Sequence, residues 1–358
     1  MKLSLLVAVV LLLVATGTLS RTSVQDGTIR TILASDPHVA VMGRSRELVH
    51  GAREVGYPGV SFFLAVRGRR LAMTASSNTG HGWVDVSVDG SKARPMELGK
   101  APAAHELFSF AVAGTHHVRV TVRTEAWQAI STIRGFTLQG GDWLPAPALP
   151  TRKILLLGDS VTCGEIIDRV PGEQRRPGWN DPLASYGMLA AAAVHARIQL
   201  VCYGGRGLVR SWDGRTDQLN LPDFYPLAVP VAGQANRWDR NKYTPDLVIS
   251  AIGTNDFSVG IPDAAGYVDA YAALVRRILA DYPHARIALT AGAILSGAKK
   301  QALVDDIAAT VRVLHDPRVQ QITSRHYPGD AQNAHPTLAQ HRAMANDLVP
   351  QLRELMGW

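Results

Sequence analysis

The sequence KILLLGDSVTCGE, at residues 153–165, constrains the fold more than any other segment. Its apolar run shows no period of two, which is typical of a strand buried on both faces of a parallel sheet. Gly158, Asp159 and Ser160 follow where that strand ends and a helix begins. Side chains at this end of such a strand face the binding crevice of an open α/β sheet, and the next helix offers unpaired N–H groups to an anion. Ser160 is therefore well placed for ester cleavage, although the same residues also make ordinary turns and helix caps.

Two later segments repeat the pattern of an apolar strand that ends in small or polar residues. VCYGGRGLVR, at residues 201–210, carries glycines, which let the backbone approach a substrate closely. DLVISAIGTND, at residues 246–256, contains Asn255, whose amide is suited to donate to developing negative charge. The alternatives are a plain turn at Gly205 and a helix cap at Asn255.

A histidine near the end of the chain supplies the base that a serine nucleophile needs. The Ser160 hydroxyl is a poor nucleophile until a base removes its proton. His335 is the first candidate because Pro336 follows it and a largely apolar stripe at helical spacing comes next. His326 is the second candidate, since no proline follows it directly.

The four blocks, in the order Ser, Gly, Asn and His, resemble those of the SGNH or GDSL-type hydrolases. Their wording, GDSVTCGE, GGRGLVR, PDLVISAIGTNDFS and HP behind a β-rich amino-terminal region, resembles carbohydrate esterase family 2, bacterial deacetylases of plant-wall polysaccharides. This resemblance covers most of the chain from about Val49 onward. Four such blocks in the right order would rarely arise by chance.

Three donors are available for an oxyanion hole in a site of this type. They are the backbone N–H of Ser160, the backbone N–H of Gly205 and the side-chain amide of Asn255. Donors fixed in advance are usually the largest catalytic term, each worth roughly 3 kcal/mol. Asp159 is expected to order the turn rather than to act as a catalytic acid.

The third member of a catalytic triad is the point at which the sequence departs from the family pattern. SGNH hydrolases commonly carry an aspartate three residues before the histidine, but Gln332 occupies that position here. Asp330 reaches His335 if the loop between them bulges. Alternatively, a main-chain carbonyl orients the imidazole, and Asp330 belongs to a solvated turn. Ala334 stands where related enzymes often present an aromatic residue, which puts sugar stacking at that point in doubt.

Strand and helix patterns divide the chain into two domains. Residues 25–140 contain β-rich runs separated by turns, which predicts an antiparallel β-sandwich, in particular a jelly roll. Residues 141–152 are rich in proline and predict a stiff linker. Residues 153–358 alternate strand and helix signals, which predicts an α/β domain whose parallel sheet has helices on both sides. With the resemblance, this becomes an SGNH-type three-layer α/β/α hydrolase domain.

Residues 1–21 have the pattern of a secretory signal peptide. A short basic region at Lys2 is followed by an apolar stretch and then by small and polar residues. The stretch is shorter than the roughly 20 apolar residues of a membrane span, and an uncleaved anchor is the alternative. We therefore expect a secreted or periplasmic protein with no stable membrane span after cleavage.

The two cysteines, Cys163 and Cys202, lie near the ends of two predicted neighbouring strands. Because an exported protein meets oxidising conditions, a disulfide beside the active site is one interpretation. Two small buried thiols are the other, since sequence does not supply the separation that a bond requires. Neither CxxC nor HExxH spacing occurs, so we expect no metal and no other cofactor.

The formal net charge of +7 invites a nucleic-acid interpretation. The lysines and arginines are nevertheless scattered, and no basic stripe with interleaved aromatic residues stands out. We expect no nucleic-acid partner.

These features together predict an exported, metal-free serine esterase. Its expected substrate is an acetylated polysaccharide or oligosaccharide of the xylan or glucomannan type, which it deacetylates through an acetyl-enzyme. One alternative is a lipase or thioesterase of the same superfamily that acts on longer acyl chains. The other is a non-catalytic carbohydrate-binding protein that relies on its β-sandwich.

Overall fold

The computed structural model describes residues 28–231, 233 and 236–358. The predicted signal peptide, residues 1–21, lies outside them. No helix in this described part of the chain is long and apolar enough to cross a membrane.

The amino-terminal domain is built from antiparallel strands. They are β1 (Ile29–Leu33), β2 (Ala40–Met42), β3 (Arg46–Glu47), β4 (Arg53–Val55), β5 (Ser61–Ser77), β6 (Gly82–Val88), β7 (Arg94–Leu98), β8 (Ala103–Val122), β9 (Ser131–Gln139) and β10 (Asp142–Trp143). The main path runs β3-β4-β9-β5-β8-β6-β7. The pairing of the long strands β5 and β8 shifts between Gly68 and Arg70, and a bulge of this kind bends a sheet around its core.

The predicted linker is partly bonded to this domain. Strand β10 lies within the predicted linker and pairs with β5, with Asp142 opposite Arg67 and Trp143 opposite Val66. The first residues of the proline-rich segment therefore extend the β domain.

The second domain holds a parallel sheet. Its strands are β11 (Arg152–Gly158), β12 (Ala196–Cys202), β13 (Leu247–Ala251), β14 (Arg286–Leu289) and β15 (Val319–Gln321), in the order β12-β11-β13-β14-β15. The α-helices are α1 (Ser160–Cys163), α2 (Tyr186–Ala193), α3 (Leu221–Phe224), α4 (Ala264–Asp281), α5 (Gly297–Leu314) and α6 (Leu338–Met356). Single 3₁₀ turns lie at Pro177–Trp179, Pro182–Ala184 and Arg240–Lys242 in this domain and at Val49–Gly51 in the amino-terminal domain.

The central strand β11 is buried on both faces, as its unbroken apolar run predicts. Leu155 and Leu157 belong to the core formed with α4 and α5. Ile154 and Leu156 belong to the core formed with α2 and α6. Successive side chains of a strand point to opposite faces, so the sheet is the middle of three layers. The prediction of an antiparallel β domain followed by a three-layer α/β/α domain is confirmed.

The two domains pack directly against each other. Arg123, just after β8, donates to Asp85 in its own domain at 2.7 Å and to Asp168 in the other. The Tyr57 hydroxyl crosses the same boundary and donates to the Phe224 carbonyl at 2.9 Å. The site described next lies along this contact.

Candidate active site

Three adjacent strands carry the candidate site. β12, β11 and β13 are neighbours in the parallel sheet, so their carboxyl ends lie at the same edge. Ser160 follows β11, Gly205 follows β12, and Asn255 follows β13. With His335, which precedes α6, these residues line one cavity of about 470 Å³.

The turn before the serine is fixed by its neighbours. The Asp159 carboxylate caps α1 by accepting from the Val161 N–H at 3.0 Å, and burial raises the pKa of Asp159 to about 6. A Cβ at Gly158 would lie 2.1 Å from Thr162 Oγ1, so only glycine fits there. Ser160 therefore occupies the first position of α1 on a tightly packed turn.

The serine and the histidine are in direct contact. His335 Nε2 lies 2.8 Å from Ser160 Oγ. On the other side of the ring, Nδ1 lies 2.6 Å from the side-chain oxygen of Asn333, which also accepts from the His335 main-chain N–H at 2.9 Å. Because Asn333 Oδ1 is an acceptor, we assign the ring proton to Nδ1, which leaves the Nε2 lone pair directed at the serine.

The imidazole is electrically neutral at ordinary pH. Burial, together with the positive charges of Arg175 and Arg169, lowers the pKa of His335 to about 4. A neutral imidazole is the form that accepts a proton from serine. The ring is therefore in its basic form at all pH values well above 4.

Asp330 does not orient the imidazole, which corrects the expectation for this residue. Its Oδ2 accepts from Arg169 at 2.9 and 2.8 Å. Its Oδ1 accepts from the main-chain N–H groups of Gln332 and Asn333 at 3.0 and 3.1 Å. The carboxylate thus closes a turn and turns away from the ring. A main-chain carbonyl does not take its place either, because the Nδ1 partner is the Asn333 side chain.

The three candidate oxyanion donors face the same cavity. Gly205 adopts a left-handed backbone conformation, with φ of 73°. The Asn255 amide donates one N–H to the Arg206 carbonyl at 2.8 Å, which holds the side chain in place. Asp256 has a role that the sequence did not predict. Its carboxylate accepts from three successive N–H groups of the glycine-rich segment, at residues 208–210, and so ties that segment to the end of β13.

Two buried glutamates near the glycines were also missed. Glu125 belongs to the β domain, is 1% exposed, and accepts from the Gly204 N–H at 2.5 Å. Burial raises the pKa of Glu125 to about 7. Glu165 pairs with Arg175, and its Oε2 lies 3.7 Å from His335 Nε2. A Cβ at Gly204 would lie 3.0 and 3.1 Å from the two carboxylates, so both crowd this position.

Two exposed indoles form walls of the cavity. Trp127 is 46% exposed and packs under the Arg175 guanidinium, which lies 5.5 Å from the ring centroid. Trp212 is 62% exposed and lies against Gly205. Ala334 has no aromatic side chain. The aromatic surface of the cavity comes instead from Trp127 and Trp212, which lie elsewhere in the sequence.

The cysteines form a disulfide. Cys163, at the end of α1, is bonded to Cys202, at the end of β12, with their Cα atoms 5.7 Å apart. The bond joins the turn that carries Ser160 to the strand that leads into the glycine-rich segment.

Known proteins share both domains of this chain. A family model described as the carbohydrate esterase 2 N-terminal domain matches residues 41–147, and one described as the GDSL-like lipase/acylhydrolase family matches residues 156–354. An acetylxylan esterase / glucomannan deacetylase of Cellvibrio japonicus is 51% identical over 328 residues, which cover 92% of each chain.

Solved structures of family two carbohydrate esterases have the same fold as this chain. A family two carbohydrate esterase from Cellvibrio japonicus is 51% identical and has a TM-score of 0.92, with 93% of this chain and 99% of that chain covered. A family two carbohydrate esterase from Clostridium thermocellum, in complex with cellohexaose, is 27% identical and has a TM-score of 0.83, with 89% and 99% covered.

Proposed function

This chain belongs to carbohydrate esterase family 2, and we propose that it is an exported serine esterase that removes O-acetyl groups from xylan- or glucomannan-type polysaccharides through an acetyl-enzyme. The observation that carries the mechanism is the 2.8 Å contact between Ser160 Oγ and His335 Nε2 beside an open, indole-walled cavity. The name of the Cellvibrio relative supports the substrate class.

Acylation begins with proton transfer from Ser160 Oγ to His335 Nε2, while the oxygen forms a bond to the acetyl carbon. The carbonyl oxygen becomes negative and receives hydrogen bonds from the N–H groups of Ser160 and Gly205 and from the Asn255 amide. The imidazolium then gives its proton to the sugar oxygen as the ester bond breaks. The deacetylated sugar hydroxyl leaves, and the acetyl group remains on Ser160.

Deacylation repeats these steps with water as the nucleophile. His335 takes one proton from the water, the hydroxyl oxygen bonds to the acetyl carbon, and the proton returns to Ser160 Oγ as acetate departs. During both steps the imidazole carries a positive charge. Asn333 Oδ1 on one side and the Glu165 carboxylate on the other stabilise that charge.

A polysaccharide chain fits the open side of the cavity. The apolar C–H faces of sugar rings pack well against indoles, and Trp127 and Trp212 present exposed rings in the cavity that holds the catalytic pair. Export is supported by the signal-peptide pattern at residues 1–21 and by the disulfide, since disulfides persist mainly outside the cytosol.

Acetate release tests this function. Acetylated xylan and acetylated glucomannan are incubated with the native protein, with Ser160→Ala, and with Ser296→Ala, an exposed serine of the same domain. We expect release by the native protein and Ser296→Ala only, and faster cleavage of acetyl than of octanoyl esters. If neither glycan is cleaved faster than a simple aryl acetate, the polysaccharide substrate is wrong; if Ser160→Ala retains the native rate, the mechanism is wrong.

A further inference from the structure

A second cavity, of about 230 Å³, lies where the β domain meets the α/β domain. It shares no lining residue with the cavity around Ser160. Four arginines and one carboxylate line it, together with aromatic rings. The charged residues are Arg44, Arg237, Arg240, Arg277 and Asp281.

Arg44 is the most deeply buried of these charges. It lies between β2 and β3 and is 1% exposed. Its guanidinium donates to the main-chain carbonyls of Tyr225 and Leu227 and to the side-chain oxygen of Gln199. These acceptors are neutral, and no carboxylate in the described part of the chain forms an ion pair with Arg44. A buried charge without a counter-charge is destabilising, so this guanidinium favours a nearby anion.

Arg277 brings a second positive charge to the same tyrosine ring. Its guanidinium carbon lies 5.3 Å from the centroid of the Tyr225 ring, and that of Arg44 lies 5.7 Å from the same point. The Arg277 side chain donates to the Pro222 carbonyl, another neutral acceptor. Arg237 is exposed at the cavity and forms no ion pair with any described residue.

The single carboxylate of the cavity is already engaged. Asp281 pairs with Arg240 and accepts from the Tyr225 hydroxyl at 3.0 Å. Four guanidiniums against one carboxylate leave three positive charges without a counter-charge in the lining of this cavity.

We propose that this cavity, whose lining includes the buried charge of Arg44, is a binding site for a small oxyanion, a ligand that presents a carboxylate, phosphate or sulfate group to Arg237 and Arg277. The planar fork of a guanidinium matches the oxygens of such groups in pairs. A water molecule occupies about 30 Å³, so the cavity admits an inorganic anion with bound water or a single acidic sugar.

Ligand titration tests the site. Sulfate, phosphate and glucuronate are titrated separately into the native protein in a Tris chloride buffer of constant ionic strength, with glucose as a neutral control. Binding is measured by calorimetry and by the shift in Tm. The variants are Arg237→Gln and Arg277→Gln, and the matched control is Arg353→Gln, an exposed arginine of α6 that lies outside the cavity.

We expect saturable binding of at least one oxyanion, no binding of glucose, at least tenfold weaker binding in either cavity variant, and unchanged binding in Arg353→Gln. Stronger binding of glucuronate than of sulfate and phosphate identifies an acidic sugar as the ligand, and the reverse order identifies an inorganic anion. Arg237 is exposed, so its variant keeps the test valid if Arg277→Gln fails to fold. Binding that is absent, that chloride reproduces, or that is equal in all variants overturns the proposal.

Discussion

Replacing Asn333 by alanine tests how the catalytic histidine is held. The substitution removes the acceptor that lies 2.6 Å from His335 Nδ1 and 2.9 Å from the His335 main-chain N–H. The Nδ1–H then has no protein partner at the moment when the ring becomes positively charged. Hydrogen bonds to charged groups contribute about 1.5–3 kcal/mol. Since about 1.4 kcal/mol corresponds to a tenfold change in rate, kcat should fall by roughly tenfold to a hundredfold.

Replacing Asn333 by aspartate should strengthen the interaction with His335 and raise the pKa of its imidazole. A carboxylate against Nδ1–H favours the imidazolium and raises the pKa of His335 above its present value of about 4. Because only the neutral ring acts as the base, kcat/KM declines as pH falls through this pKa. The acid limb of the profile should therefore move from near pH 4 to higher pH, by about 1–3 units for a charge at this distance.

Hydrolysis of an aryl acetate, followed from about pH 3.5 to 8, measures both effects. Asp330→Asn is the matched control, because it keeps an acceptor for the turn and removes only the charge paired with Arg169. We expect Asp330→Asn to stay within about threefold of the native kcat. The reasoning is refuted if Asn333→Ala stays within twofold of native, or if Asp330→Asn loses more activity than Asn333→Ala.

Three further substitutions probe the surroundings of the site. Glu125→Ala leaves the Gly204 N–H without its buried acceptor and should lower kcat about tenfold, whereas Glu125→Gln should stay within about threefold; equal losses in both variants would show that the charge, not the hydrogen bond, matters. Replacing Cys163 and Cys202 together by serine removes the disulfide that closes a loop with a sequence separation of 39. The free energy of unfolding, measured by urea titration, should fall by about 2–4 kcal/mol. An unchanged midpoint of unfolding contradicts this expectation. Trp212→Ala should raise KM for acetylated xylan several-fold and leave aryl acetate kinetics nearly unchanged, because in the proposed function this exposed indole of the cavity packs against the sugar rather than the acetyl group. An equal effect on both substrates would instead assign Trp212 a role in holding the segment that carries Gly205.

The parallel sheet was predictable because its central strands have a distinctive sequence pattern. β11 and β13 are continuous apolar runs that end in glycine and polar residues, and both are buried on each face. Their neighbouring positions bring Ser160 and Asn255 to one edge without further information. The disulfide was predictable only as one of two alternatives, because the distance between strand ends is a property of the folded sheet.

Asn333 was not predicted because the family pattern places an aspartate before the histidine, and the alternative to an aspartate was a main-chain carbonyl. A local signal existed, since an asparagine side chain readily accepts from the main-chain N–H two residues later, as it does here with His335. Glu125 had no such signal. It lies 79 residues from Gly204 and meets it only because two separately patterned domains pack together. Contacts between domains leave no periodic pattern in the sequence, so they could not be predicted from it.

The hydrogen bond from Gly204 to Glu125 makes the two domains a single catalytic unit. A truncated enzyme that begins at β11 would retain Ser160 and His335 but expose the buried edge on which the glycine-rich segment rests. A binding module fused to this esterase should therefore be appended outside the β domain. Exchanging the β domain itself requires a replacement that delivers a side-chain oxygen acceptor to the same backbone N–H.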